Sequence, residues 1–184
     1  MLLLLCAGCA SSRFTCDATP PRAPHNFGAA VEGVFRGGQP MTCGELAFLQ
    51  SQGVKSILKL NDRDAAVDVA EKSNAARFGL RIESFDFGAS TIGTASTCPD
   101  VARALAFLAN RDNWPVYVHC TAGKDRTGYI VGMYERSVGR SITEVMSELH
   151  RYGHRGARAM TFPQIDQQLE SERPACAGVP LTHP

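Results

Sequence analysis

The amino-acid sequence predicts an α/β domain in which a central, mainly parallel β-sheet is flanked by helices. Short apolar segments rich in β-branched residues alternate with segments of helical period, a pattern typical of parallel sheets. Two capping-box patterns mark helix starts, Thr42 with Glu45 and Ser141 with Glu144. A chain of 184 residues is long enough for one such domain with a hydrophobic core.

The first nine residues, MLLLLCAGC, combine an apolar run with small residues. This combination is typical of an export signal, and the run is too short to span a bilayer. The segment from Leu5 to Cys9 is similar to a bacterial lipobox, with Cys9 as the lipidated residue. We therefore expect residues 1–9 to be an export or lipoprotein signal, and the protein to be periplasmic or membrane-anchored in a bacterium. Cleavage without lipidation is one alternative, and an apolar terminus without any signal function is another.

Residues 10–25 are rich in Pro, Ser and Thr without an apolar period, which predicts a tether to a domain over residues 26–173. In that domain, Val34 to Arg36 is a short edge strand followed by a glycine turn. The predicted elements after it are a helix from Thr42 to Gly53, a strand over residues 54–60, a helix over 64–78, a strand over 80–87, a polar loop over 89–97, helices over 97–110, 142–152 and 162–170, and a tail over 174–184.

The segment from Pro115 to Arg136 organises the rest of the chain. It begins with a short buried strand at Val116, turns through a loop that contains Gly123 and continues into a helix. A loop that enters a helix N-terminus directs backbone N–H groups and the positive end of the helix dipole at one point. The segment therefore predicts an anion site, and a phosphate fits it.

Cys120 and Arg126 lie in this loop, six positions apart. A cysteine at a helix start loses its proton readily, and the resulting thiolate is a nucleophile. The planar guanidinium of Arg126 can hold two phosphate oxygens and stabilise the charge that spreads during phosphoryl transfer. Thr127 can donate to the sulfur, and His119 is expected to orient the loop from behind. The phosphate-binding residues predicted between these positions are Thr121, Ala122, Gly123, Lys124 and Asp125.

The Cys-x5-Arg spacing is weak evidence by itself. Cys16 and Arg22 have the same spacing, in a Pro-rich segment without a strand before it or a helix after it. The prediction for Cys120 therefore depends on its flanks, which are an apolar strand, a mid-loop glycine and Thr127-Gly128 at a helix start.

The sequence HCTAGKDRTG, at residues 119–128, resembles the signature loop HC-x5-R-[S/T] of the cysteine-dependent protein tyrosine phosphatase superfamily. Its GKDRTG ending is similar to the bacterial and atypical dual-specificity branch. Asn26-Phe27, GVFRGGQP at residues 33–40 and VKSILKL at residues 54–60 resemble other segments of that branch, so the similarity covers about residues 26–152. The resemblance implies the protein tyrosine phosphatase-like fold, a phosphocysteine intermediate, and no metal or organic cofactor.

The resemblance also implies a general acid, an aspartate on a separate loop that protonates the leaving oxygen and then activates water. Asp86 is our candidate because it lies at the carboxyl end of a predicted strand, before a loop. The family's Trp-Pro-Asp motif is absent, so this assignment rests on position alone. Asp125 is the main alternative, with Asp62 and Asp64 behind it.

Cysteines outside the signal and the signature loop are candidates for disulfides. Five cysteines follow the signal segment, an odd number, so at least one thiol is free: Cys16, Cys43, Cys98, Cys120 and Cys176. Cys16 and Cys176 lie in the two Pro-rich ends and are our candidate pair. These five cysteines form no C-x-x-C pair and no cluster with zinc spacing, so we expect no metal site.

The predicted function is a phosphomonoester hydrolase of the tyrosine or dual-specificity type. Two alternatives keep the same loop, a phosphoinositide or inositol phosphate phosphatase and a catalytically inactive phosphate-binding module. Lys124 is either a solvated charge or a second cation for such polyphosphates, and the basic run from His150 to Arg158 is expected to be a solvated face. Nineteen basic residues nearly balance eighteen acidic ones, so we expect no nucleic acid partner. The signature loop implies a phosphorylated substrate, and we expect a monomer.

Overall fold

A five-stranded sheet is the centre of the part of the chain that the computed structural model describes, namely residues 14–16, 19–61, 64–88, 90–155, 162–171 and 176. The strands are β1 (Gly28–Val31), β2 (Val34–Gly38), β3 (Ser56–Lys59), β4 (Arg81–Ser84) and β5 (Val116–Cys120). Their spatial order is β1-β2-β5-β3-β4, and only β1 pairs in an antiparallel manner within this sheet. The expected α/β class with a mainly parallel sheet is confirmed.

Helices flank this sheet and form two hydrophobic clusters with it. The described helices are α1 (Cys43–Ser51), α2 (Ala65–Arg77), α3 (Cys98–Ala109), α4 (Asp125–Ser137), α5 (Ile142–Arg151) and α6 (Pro163–Glu170). Ile57 and Tyr117 pack with side chains of α1 and α2, whereas Leu58 and Val118 pack with side chains of α3 to α6. Successive strand residues thus serve opposite clusters, as expected for a sheet covered on both faces.

Both predicted capping boxes start helices. The Thr42 side chain accepts a hydrogen bond from the Glu45 N–H, while the Glu45 carboxylate accepts one from the Met41 N–H. At α5 the Ser141 hydroxyl and the Glu144 side chain cap each other's backbone N–H groups. These side chains satisfy N–H groups that a helix start leaves unpaired.

The sequence analysis predicted an edge strand at Val34, and this prediction is wrong. β2 lies between β1 and β5, and β1, which the sequence analysis missed, supplies the edge. Glycine and alanine fill most of β1, and its single β-branched residue, Val31, is too weak a signal to predict a strand. The parallel pairing of Gly38 with Cys120 places the end of β2 beside the signature loop.

The cysteines pair differently from the predicted Cys16–Cys176 bridge. Cys16 is bonded to Cys43 and Cys98 to Cys176, with Cα atoms 4.7 Å and 4.9 Å apart. A bridge between Thr15 and Thr42 carries Cys16 to the start of α1, a proximity that sequence spacing does not reveal. Cys120 is the one free cysteine of the described chain, which confirms the expected free thiol.

The predicted domain boundaries stay predictions, because residues 1–13 and most of the tail lie outside the described residues. Residues 14–16 of the predicted tether contact α1 through the bridge and the disulfide described above. Among the described helices, none combines the length and apolar character needed to cross a bilayer.

Candidate active site

Cys120 is the last residue of β5, the middle strand of the sheet. Its neighbours in the sheet, β2 and β3, are both parallel to it, so the carboxyl ends of three strands meet at this edge. Ligands of parallel sheets bind at that edge. The thiol is free, and only 3% of the residue is exposed. The predicted nucleophile is therefore almost completely enclosed at this edge of the sheet.

The loop after Cys120 leads directly into α4. Lys124 is the N-cap of this helix and makes no capping hydrogen bond with its side chain. Within the described chain, none of the N–H groups of residues 121–126 donates to a backbone carbonyl. Unpaired N–H groups at a helix start carry partial positive charge and attract an anion. The loop thus has the donors that a bound phosphate requires.

Gly123 is required where the loop approaches β2. Its φ of +70° lies in the left-handed region, and a Cβ added there would lie 2.3 Å from the carbonyl carbon of Gly37. No side chain fits at that distance, so the mid-loop glycine sets how closely the loop packs on the end of β2. Asn26 secures the same stretch, because its side-chain amide is within hydrogen-bond distance of the carbonyls of Ala122 and Gly123 at 3.4 and 3.2 Å.

Arg126 connects the signature loop to the segment that follows β4. One guanidinium nitrogen donates to the Phe87 carbonyl at 3.0 Å, and the other to the Thr121 hydroxyl at 3.1 Å. Because guanidinium is planar, two fixed contacts set the plane of the whole group. Arg126 is thereby oriented before any anion binds.

Asp86 lies immediately before Phe87 and is exposed, whereas Phe85 and Phe87 are buried. The two phenylalanines anchor the segment in the core, and the contact from Arg126 to Phe87 brings it to the signature loop. The predicted general acid, Asp86, thus lies next to Phe87, whose carbonyl accepts a hydrogen bond from Arg126.

The other candidate acids are occupied or lie outside the described residues. Asp64 is the N-cap of α2 and accepts hydrogen bonds from the Ala66 and Val67 N–H groups. Asp125 contacts Nδ1 of His154 at 2.6 Å. Asp62 lies outside the described residues.

His119 lies behind the loop in a buried ionic cluster. Its Nε2 is 2.9 Å from a Glu71 oxygen, and the other Glu71 oxygen accepts from Lys59 at 3.1 Å and from Gln39 at 2.6 Å. Burial alone would raise the pKa of Glu71, but His119 and Lys59 outweigh it and the pKa lies below its usual value. An ionised Glu71 therefore fixes the ring of the residue that precedes the nucleophile.

A second buried cluster supports the loop from the side of α5. Arg36 is fully buried and donates to the Glu148 carboxylate at 3.1 Å and to the Gly123 carbonyl at 3.2 Å. Arg140 joins Glu148 to Glu135, and burial together with Glu148 raises the pKa of Glu135 to about 7. Through these ion pairs and the hydrogen bond from Arg36, β2, α4 and α5 are all connected to the carbonyl of Gly123.

Thr127 is fully buried, and its hydroxyl has no hydrogen-bond partner in the described chain. The predicted bond from this hydroxyl to the Cys120 sulfur is absent from the structure as it stands. Its role in the reaction stays a prediction.

The sequence analysis missed most of the residues that hold the loop. Asn26, Arg36 and Gln39 belong to the segments that carried the family resemblance, but no role was assigned to them. Glu71, Glu148 and Asp166 lie on helices and His154 follows α5, all of them outside the loop in sequence, and only the fold brings them near. His154 also corrects the expected solvated basic face, because it is buried while His150, Arg151 and Arg155 are exposed; Arg158 lies outside the described residues.

The fold and the signature loop together define a cysteine-dependent phosphatase. The chain belongs to the tyrosine phosphatase family, whose pattern matches residues 22–174. A putative tyrosine-protein phosphatase OCA1 from Debaryomyces hansenii is 28% identical over 82% of this chain and 81% of its own length. The inositol diphosphatase DSP4 of Arabidopsis thaliana is 31% identical over 73% of this chain and 67% of its own length.

Among solved structures, the core catalytic domain of the PP-IP phosphatase SIW14 from S. cerevisiae, in complex with citrate, has a TM-score of 0.66 to this chain. It is 24% identical, and the match covers 79% of this chain and 86% of that one. This likeness confirms the protein tyrosine phosphatase-like fold. The predicted superfamily and the predicted class of enzyme, a cysteine-dependent phosphatase, are likewise confirmed.

The expected export in a bacterium is wrong. The curated relatives compared above are phosphatases of a fungus and a plant, not bacterial lipoproteins. The prediction depended on a short leucine run followed by small residues, a pattern too brief to separate a signal from other apolar termini. Cys9 lies outside the described residues, and its predicted lipidation depended on the same expectation.

Proposed function

We propose that Cys120 is the nucleophile of this phosphatase and carries the phosphocysteine intermediate. The observation that supports this assignment most is a free, almost fully buried thiol that ends the middle strand and precedes an uncapped helix start. The thiolate attacks phosphorus while the bond to the leaving oxygen breaks. Water then attacks the phosphocysteine and releases inorganic phosphate, which restores the thiolate.

Arg126 and the loop N–H groups bind the phosphoryl oxygens. The N–H groups of residues 121–126 supply fixed donors, and Arg126 adds a permanent positive charge whose plane is already set by Phe87 and Thr121. Charge on the equatorial oxygens spreads during phosphoryl transfer, and fixed donors stabilise it without reorganising at that moment. His119 holds Cys120 from behind, and the unpartnered Thr127 hydroxyl donates to the sulfur as it leaves.

Asp86 is the general acid that protonates the leaving oxygen and then accepts a proton from water. Its exposure and its place next to Phe87, whose carbonyl accepts a hydrogen bond from Arg126, support this assignment. A carboxylic acid on a separate segment can approach the leaving group from the side opposite the nucleophile.

Inositol phosphates are a second candidate substrate class beside phosphoproteins. Lys124 supports it, because its side chain packs on Gly153 at the rim of the loop and makes no ion pair with another described residue. A cation at that rim suits a second phosphate of the same substrate. The monomeric state expected from the sequence stays a prediction.

Turnover of a phosphotyrosine peptide, a phosphoserine peptide, an inositol polyphosphate and a simple aryl phosphate, measured side by side, tests the substrate class. Lys124→Gln is expected to raise KM for the inositol polyphosphate by about tenfold, since one charge contact to phosphate is lost, and to leave the aryl phosphate nearly unchanged. Lys72→Gln, an exposed lysine on α2, is the matched control. An equal effect on both substrates would exclude a second phosphate contact at Lys124.

A further inference from the structure

His154 occupies a position that neither the family resemblance nor the assigned chemistry explains. It follows α5, and its side chain is fully buried between two acidic groups. Nδ1 lies 2.6 Å from a carboxylate oxygen of Asp125, and Nε2 lies 2.7 Å from one of Asp166. A neutral imidazole has one N–H, whereas both ionised carboxylates can only accept hydrogen bonds. The geometry therefore corresponds to an imidazolium that carries both protons.

Asp125 is the partner that matters for the active site. It is the first residue of α4 and directly precedes Arg126, so it stands where the signature loop enters the helix. About a quarter of this side chain is exposed. An uncompensated carboxylate there repels a phosphate dianion, and weak screening in a partly buried site increases that repulsion.

Asp166 lies on α6, so its contact with His154 connects the ring to that helix. The same helix also contacts the segment that follows Asp86. The α6 residues Ile165 and Leu169 are buried in the core. From the same helix, the Gln164 side chain donates to the Ser90 carbonyl at 3.3 Å. Through His154 the signature loop is thus joined to a helix that contacts the loop expected to carry the general acid.

We propose that His154 is a positioning residue: its imidazolium neutralises Asp125 inside the phosphate-binding loop and fixes that loop to α6, so that a phosphate dianion can bind. This inference rests on the proposed role of the loop in phosphate binding. His154 does not contact substrate in it and acts only through Asp125.

The groups around the His154 ring determine how its charge, and with it phosphate binding, depends on pH. Burial alone would lower the pKa of His154, but the hydrogen bonds to Asp125 and Asp166 outweigh it and raise the pKa above its ordinary value. The charged or titratable groups that face the ring from the elements around it are Asp125 on α4, Asp166 on α6, His150 on α5 and Lys124 beside Gly153.

The sign follows from that raised pKa. Below it, the ring is charged and Asp125 is neutralised. As the pH rises through it, the ring loses a proton and the loop regains a net negative charge. KM for a phosphate dianion should therefore increase on the alkaline side, while kcat changes less because the reacting groups stay in place.

The test compares full-length wild type with His154→Gln, measuring kcat and KM for an aryl phosphate from about pH 6 to about pH 9. We expect the variant to raise KM about tenfold near neutral pH, through one uncompensated charge, and to lose the alkaline increase in KM. Lys72→Gln replaces an exposed charged residue of α2 and should reproduce the wild-type profile. A His154→Gln profile identical to wild type would overturn the proposal.

A double variant separates charge compensation from a general loss of structure. Adding Asp125→Asn to His154→Gln removes the uncompensated carboxylate, so KM should return toward the wild-type value. Failure of the double variant to recover KM would contradict the proposal, because it would mean that His154 acts by packing alone. Calorimetric binding of inorganic phosphate to the same proteins reports on the loop without turnover, so a failure of this inference is distinguishable from a failure of the assigned chemistry.

Discussion

Two segments of this chain have the same Cys-x5-Arg spacing and different structures. Cys16 is bonded to Cys43, and Arg22 has a 60% exposed side chain that pairs with Glu45 at 3.4 Å. Cys120 is free and nearly buried, and Arg126 is held between its own loop and the segment of Asp86. The spacing alone therefore does not make a phosphate site.

The difference arises from the elements on either side. Cys120 ends the middle strand of a parallel sheet and precedes the uncapped start of α4, so unpaired N–H groups surround it. Cys16 follows an isolated bridge at Thr15, and no helix begins among the described residues from there to Arg22, which are 16 and 19–22. A sheet edge and a helix dipole supply the positive potential that a thiolate and a phosphate need.

The comparison is sharpest at the arginines. Arg126→Lys keeps the charge but loses the planar, two-point contact, so kcat/KM for an aryl phosphate should fall by about 10³-fold or more. Arg22→Lys should leave kcat/KM unchanged, because that side chain makes an exposed ion pair. Steady-state kinetics of both variants measures this, and equal effects at the two positions would break the comparison.

Substitution of the candidate general acid should have a smaller effect on turnover than substitution of Arg126. Asp86→Asn should lower kcat by about 10²–10⁴-fold on substrates with a poor leaving group, because proton donation is lost. Asp64→Asn is the matched control on a helix cap, with little change in kcat and at most about 1 kcal/mol in the free energy of unfolding. A normal kcat for Asp86→Asn would move the general acid elsewhere.

The disulfide at Cys16 should matter least for turnover. Replacing Cys16 and Cys43 together by serine should lower the free energy of unfolding by about 2–4 kcal/mol, since a crosslink across the start of α1 is removed. The kcat should stay within about twofold of wild type, because neither sulfur belongs to the proposed site. Thermal unfolding and kinetics of the double variant check both statements. A large loss of kcat in a folded variant would assign Cys16 a part in the site.

Local patterns predicted the elements whose signals lie within a few residues. Both capping boxes, the strand before Cys120 and the helix after Gly123 were visible in this way, and so was the free thiol. The neighbours of each strand were not, because pairing of β2 with β5 joins residues 34–38 to residues 116–120. β1 was not predicted for a different reason: its sequence GAAV has only one β-branched residue, which is too weak a signal for a strand.

The supports of the site depend on contacts across the whole chain. Glu71 reaches His119 from α2, and Glu148 reaches Arg36 from α5. The sequence shows each of these carboxylates on a helix but not which face is buried next to a partner. The disulfide partners were missed for the same reason, because spacing along the chain does not give distance in space.

Trapping of the intermediate tests the central assignment most directly. Asp86→Asn, mixed with an aryl phosphate whose leaving group needs no protonation, should form the phosphocysteine quickly and hydrolyse it slowly. Rapid denaturation at alkaline pH followed by peptide mass spectrometry should then find one phosphoryl group on the peptide that contains Cys120. Turnover that survives in Cys120→Ser, or a phosphoryl group on any other residue, would contradict the account.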